Sequence, residues 1–77
     1  MTVKELFEHF NIYFNSIRYY DRHTKETVIF ENQESNVTTA LLVTNSFIAV
    51  HGNEQVADWH FNIDGENNKE ITVEVEK

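Results

Sequence analysis

The chain has 77 residues, a net charge of −7, no cysteine and no proline, a length that leaves room for one hydrophobic core and makes residues 1–77 a single α+β domain in expectation. The missing cysteines exclude disulfides and thiolate zinc sites, and the apolar runs fall far short of the roughly 20 residues that a membrane span requires. Residues 1–25 carry Lys4, Arg18, Arg22 and Lys25 against Glu5, Glu8 and Asp21, whereas residues 26–77 carry only Lys69 and Lys77 against ten acids; such a segment repels nucleic-acid phosphates and favours basic surfaces.

In chain order, Thr2 and Glu5 have the spacing of a capping box, and Val3, Leu6, Phe7 and Phe10 follow at i, i+3, i+4 and i+7. This pattern predicts an N-terminal helix with one apolar stripe. Asn11 is a plausible terminator, and Tyr13 and Phe14 fall either at the helix end or in the following loop. The opening residues lack the apolar core of a signal peptide, so a cytoplasmic location is the expectation.

Ser16 to Asp21 and Glu26 to Glu31 alternate in polarity and predict two strands joined by Arg22-His23-Thr24-Lys25. The turn is the only basic cluster. No Gly-rich phosphate loop accompanies it, so its cations are expected to offset nearby carboxylates. Asn32 to Asn36 is a polar break. Val37 to Val50 is dense in β-branched residues and reads as two strands around Asn45-Ser46, with a short helix after Ser35 or Asn36 as the alternative, because Ala40-Leu41-Leu42 favours helix.

The C-terminal stretch carries the clearest pattern. Trp59, Phe61 and Ile63 alternate with His60 and Asn62, and Ile71, Val73 and Val75 alternate with Thr72, Glu74 and Glu76. Asp64-Gly65-Glu66-Asn67-Asn68 supplies turn residues between them, so a hairpin is expected. Consecutive hairpins make a meander the simplest topology. The predicted fold is α+β: one N-terminal helix packed on a mainly antiparallel sheet of about five or six strands.

Candidate chemistries are sparse. His9, His23, His51 and His60 form no i, i+4 pair and no clustered ligand motif. Asp58 and His60 share a strand face, and they are the best residues available for a metal-assisted or acid–base enzyme. Asp64, Glu66, Asn68 and Glu70 alternate like a calcium loop but lack its Gly and Glu spacing. No serine lies in a nucleophile elbow. A chain this short scarcely encloses a pocket that would raise a carboxyl pKa for catalysis. No catalytic residue, metal site or cofactor is expected.

The opening Met-Thr-Val-Lys-Glu-Leu-Phe-Glu, the asparagine-rich composition, and Val-Ala-Asp-Trp-His-Phe followed by Ile-Thr-Val-Glu-Val-Glu resemble small acidic proteins of phages and mobile elements in AT-rich Gram-positive bacteria. Among these are anti-CRISPR proteins and other host-defence inhibitors whose carboxylates imitate nucleic-acid phosphates. The resemblance implies an inhibitor that docks on a basic groove of a host nuclease or DNA-binding protein.

The sequence therefore predicts a non-catalytic acidic binding module whose docking carboxylates are Asp64, Glu66, Glu70, Glu74 and Glu76, with no direct nucleic-acid or membrane contact. The alternative is a small structural or regulatory module that self-associates, for example as a homodimer, because a core this small is marginal and the last strand, read as a sheet edge, can pair with a second copy.

Overall fold

Helix α1, Val3–Phe10, starts at the capping box. The Thr2 N–H donates to Glu5 Oε1 at 3.0 Å, and the Glu5 N–H donates to Thr2 Oγ1 at 3.2 Å. These bonds satisfy two of the donors that every helix start leaves open. The Thr2 N–H, and after it the Thr2 hydroxyl, hold the Glu5 carboxyl below its ordinary value. A depressed carboxyl stabilises the fold above its unfolded-state pKa, and that contribution disappears as pH falls through the folded value. The structure is a computed structural model that describes residues 1–10, 13–31, 37–63 and 69–76.

Strands β1, Ser16–Asp21, and β2, Glu26–Glu31, pair antiparallel without a register break. Their turn is closed by the Asp21 side chain, whose Oδ1 accepts the His23 N–H at 2.8 Å, and by Lys25 at φ 61°. Strands β3, Val56–Ile63, and β4, Lys69–Val75, form the expected C-terminal antiparallel pair, with a register shift between Val56 and Asp58. The intervening loop, including Asp64, Glu66 and Asn68, lies outside the described residues.

Residues 37–51 correct the sequence-based expectation. They form one helix, α2, Val37–His51, in place of two strands. β-Branched residues lower helix propensity by only a fraction of a kcal/mol each, which tertiary burial readily overrides. The sheet consequently has four strands, not five or six, in the order β2-β1-β4-β3. It is mixed and not a meander: β1 and β4 are parallel, from Ser16↔Glu70 to Asp21↔Val75. At 15 residues, α2 is about 22 Å long, enough to carry the chain across a sheet about 14 Å wide between its outer strands. The chain thus passes from one edge, β2, to the other, β3, and β4 then returns to the centre beside β1.

Both helices lie on one face of the sheet. Val3, Leu6 and Phe7 of α1, Val43 and Phe47 of α2, Ile17 and Tyr19 of β1, and Ile71, Val73 and Val75 of β4 form one buried cluster, which Phe14 joins from the loop. Trp59 and Phe61 face the helices as expected, their rings 4.9 and 5.6 Å from that of Phe10. Phe14 is held by its N–H, which donates to the buried Thr44 Oγ1 at 2.8 Å. Tyr13 is exposed. Gly52 ends α2, its N–H bonded to the Ile48 carbonyl, while its own carbonyl accepts the Lys4 N–H. A Cβ at Gly52 would stand 2.4 Å from the Ile48 oxygen, a clash with backbone that cannot swing aside.

Three substitutions test this arrangement by urea unfolding. Phe47→Ala empties a fully buried site and should cost about 3–5 kcal/mol. Gly52→Ala should cost about 1–3 kcal/mol through overpacking. Val50→Ala, on the exposed side of α2, should stay within about 0.5 kcal/mol of the parent.

Candidate functional site

With the helices on one side, the opposite face of the sheet is left uncovered by any described element. The strand registers assemble it as three cross-strand rows: Glu31, Ser16, Glu70 and Asn62; then Ile29, Arg18, Thr72 and His60; then Thr27, Tyr20, Glu74 and Asp58. Side chains directly opposite one another stand about 4.5–5.5 Å apart, so each row is a continuous strip.

The predicted carboxylates divide among different settings. Glu70 and Glu74 are half-buried on this open face, and Glu76 is exposed just past the end of β4. Asp64 and Glu66 fall outside the described residues. Glu70 and Glu74 are separated by about 13 Å along β4, with Arg18 at the register position between them on the neighbouring strand. The Arg22 guanidinium approaches Glu74 Oε2 at 3.5 Å. The basic turn therefore does offset a carboxylate, as expected. Two further acids, Glu31 and Asp58, come onto the face from the edge strands. Four carboxylates (Glu31, Asp58, Glu70, Glu74) thus meet two guanidiniums (Arg18, Arg22), which leaves the face acidic but patterned. Which cations interleave with the acids depends on the β1–β4 register, and no local sequence signal contains it.

Asp58 and His60 share the open face as predicted, on adjacent rows. Asp58 Oδ1 accepts the Trp59 N–H at 2.8 Å, so that carboxylate braces its own backbone beside the β3 register shift. Among the described residues, no group of three or more His, Asp or Glu side chains is arranged to hold a metal. No described helix is long and apolar enough to cross a membrane.

A second polar cluster lies on the helix-covered side. The Tyr19 hydroxyl donates to Glu54 Oε1, and His51 Nδ1 lies against Glu54 Oε2, both at 2.5 Å. The Tyr19 and His51 rings stack at 4.1 Å. Burial first, then the hydrogen bond to Glu54, pushes the Tyr19 phenol well above its ordinary value. The His51–Glu54 spacing of i, i+3 is visible in the sequence, but Tyr19 is 35 residues away from Glu54 and gives no such signal. The same turn anchors the N-terminus: the Val3 N–H donates to the Glu54 carbonyl, and the Val56 N–H donates to the Met1 carbonyl. With a phenol, a carboxylate and an imidazole bonded to one another, the cluster joins β1 to the end of α2 and the turn that follows. Comparison with known protein families, with curated proteins and with solved structures finds no match to this chain.

The Tyr19 proton links the cluster to alkaline pH. The folded chain retains it above the unfolded-state value of about 10, so its stabilising effect is complete below that pH and is lost as pH rises toward the folded value. Ultraviolet titration should show a tyrosine ionising above the ordinary range, and Tyr19→Phe should remove that component. The substitution should also cost about 1–3 kcal/mol in urea by depriving the partly buried Glu54 of a donor.

Proposed function

We propose that the chain is a non-catalytic acidic binding module that docks on a basic protein surface through the open face of its sheet. The observation that carries this reading is the one-sided placement of the helices, which leaves Glu31, Asp58, Glu70 and Glu74 together on an uncovered face of a chain with net charge −7. Arg18 and Arg22 among these acids make the face selective: a partner must put cations opposite the carboxylates and avoid the two guanidiniums, a pattern that gives specificity as well as attraction. A basic groove of a nuclease or DNA-binding protein meets this requirement. In that setting the module acts as an inhibitor of the phage-encoded kind, with its carboxylates standing in for phosphates.

The test is capture of partners from a bacterial lysate on the immobilised chain, at low salt and at 1 M salt. At 1 M the screening length is about 3 Å, and exposed charges cease to attract one another beyond contact. Basic proteins should be retained at low salt, released at high salt, and lost when Glu31→Gln, Asp58→Asn and Glu70→Gln are combined. Retention unchanged by both salt and the triple substitution would refute the docking mode.

A further inference from the structure

The outer edge of β2 lacks the devices that usually protect a sheet edge. Edge strands are commonly blunted by proline, lysine, bulges or a covering element. β2 contains no proline, lysine or arginine, and its six pairs with β1 run without a shift. Among the described residues, nothing pairs with its other side. The opposite edge, β3, differs in having a register shift between Val56 and Asp58. Val28 and Ile29, on opposite faces of β2, are 46% and 49% exposed.

Beside this edge runs an open groove of about 320 Å³ lined by Ile29, Phe30, Glu31, Leu42, Val43 and Ser46. It lies between β2 and α2, and Leu42 on its helical wall is 57% exposed. A strand laid along β2 would take up the free backbone donors and acceptors. Its alternate side chains would enter the groove, while the others would lie beside Ile29 on the open face. Main-chain bonds plus pockets for alternate residues are the elements of peptide recognition by strand addition.

Charge decides the occupant. Glu26 and Glu31 mark the two ends of β2. Glu26 and Glu31 lie on opposite faces of β2, so a second copy added as a strand would bring two further acids to this edge, one on each face. Acids gathered at one edge repel each other, and each copy adds a further net −7. A heterologous segment with apolar residues toward the groove and Lys or Arg at each end converts both repulsions into attractions. We propose that β2 and the groove against α2 bind such an extended, cation-flanked apolar segment of a partner protein as an added strand. This surface shares Ile29 and Glu31 with the margin of the open face but uses none of Asp58, Glu70 and Glu74, so its occupancy does not require the open face to bind.

The experiment is an NMR titration of the full ¹⁵N-labelled chain with the end-capped peptide Lys-Val-Thr-Val-Thr-Lys, which presents both valines to the groove when antiparallel to β2. Amide shifts should concentrate in residues 26–31 and 42–46. Replacing both peptide lysines by glutamate, or substituting Ile29→Lys or Leu42→Asn in the protein, should each weaken binding by about tenfold or more. Both substituted side chains are largely exposed, and circular dichroism verifies that the variants remain folded. Three outcomes would overturn the proposal: no shifts at millimolar peptide, equal affinity for the glutamate peptide, or a dimer by sedimentation whose interface is β2. Shifts confined to Arg18, Thr72 and Glu74 would overturn it as well while supporting docking through the open face, so the two ideas fail separately.

Discussion

Phe47 is where the fold is tied together. It is fully buried, and its ring lies 5.5 Å from Phe7 of α1, 5.9 Å from Tyr19 of β1 and 5.1 Å from Phe30 of β2. A single side chain on α2 therefore fixes the distance from both helices to the sheet. Aromatic rings in such edge-to-face and stacked contacts contribute beyond their buried area, and in a core this small each one is a large fraction of the net stability. With Phe47 over β1 and β2, α2 lies on that half of the sheet, the chain continues from it into the far edge strand β3, and β4 pairs in parallel with β1.

The same placement determines what remains available for binding. Two short helices suffice to cover one face of four strands, and no described element is left to cover the other. A small domain with an open sheet face must make that face polar, and it does so with Glu31, Arg18, Tyr20, Glu70, Glu74 and Asp58 in adjoining rows. On the covered side, the Tyr19–Glu54–His51 cluster closes the end of the core beside Phe47, whose ring is 5.2 Å from that of His51. Among the described residues, no buried side-chain polar atom lacks a partner. The core thus ends in a satisfied polar junction, and the acidic surplus is distributed over strand residues and loops.

Much of this was legible in the amino-acid order. The capping box located the start of α1 while its end stayed open between Asn11 and Phe14, and alternation over Ser16–Asp21, Glu26–Glu31 and the C-terminal stretch located all four strands, because a period of two needs one buried and one wet face to be visible. α2 was not legible. Its apolar residues occur nearly all the way round, so it shows little 3.6-residue periodicity, and its valines, threonines and isoleucine imitate strand. The parallel β1–β4 pairing was hidden for a related reason: the alternation Ile71, Val73, Val75 is the same whether the neighbour runs parallel or antiparallel. The composition of the open face was consequently half-readable. That Glu70 and Glu74 share a face follows from their spacing. That Arg18 stands between them and Arg22 pairs with Glu74 requires the register, which only the tertiary structure contains. Strand addition at β2 likewise became apparent only once β2 was known to be an edge and α2 to be a helix beside it.

The parallel centre of the sheet is the claim on which the open face, the β2 edge and the groove all rest. Nuclear Overhauser spectroscopy on the folded chain tests it most directly. The account predicts backbone proton contacts between Ile17 and Ile71 and between Tyr19 and Val73, together with the sequential amide pattern of a helix from Val37 to His51. Cross-strand contacts between Thr38–Thr44 and Phe47–Val50, with none linking β1 to β4, would contradict it.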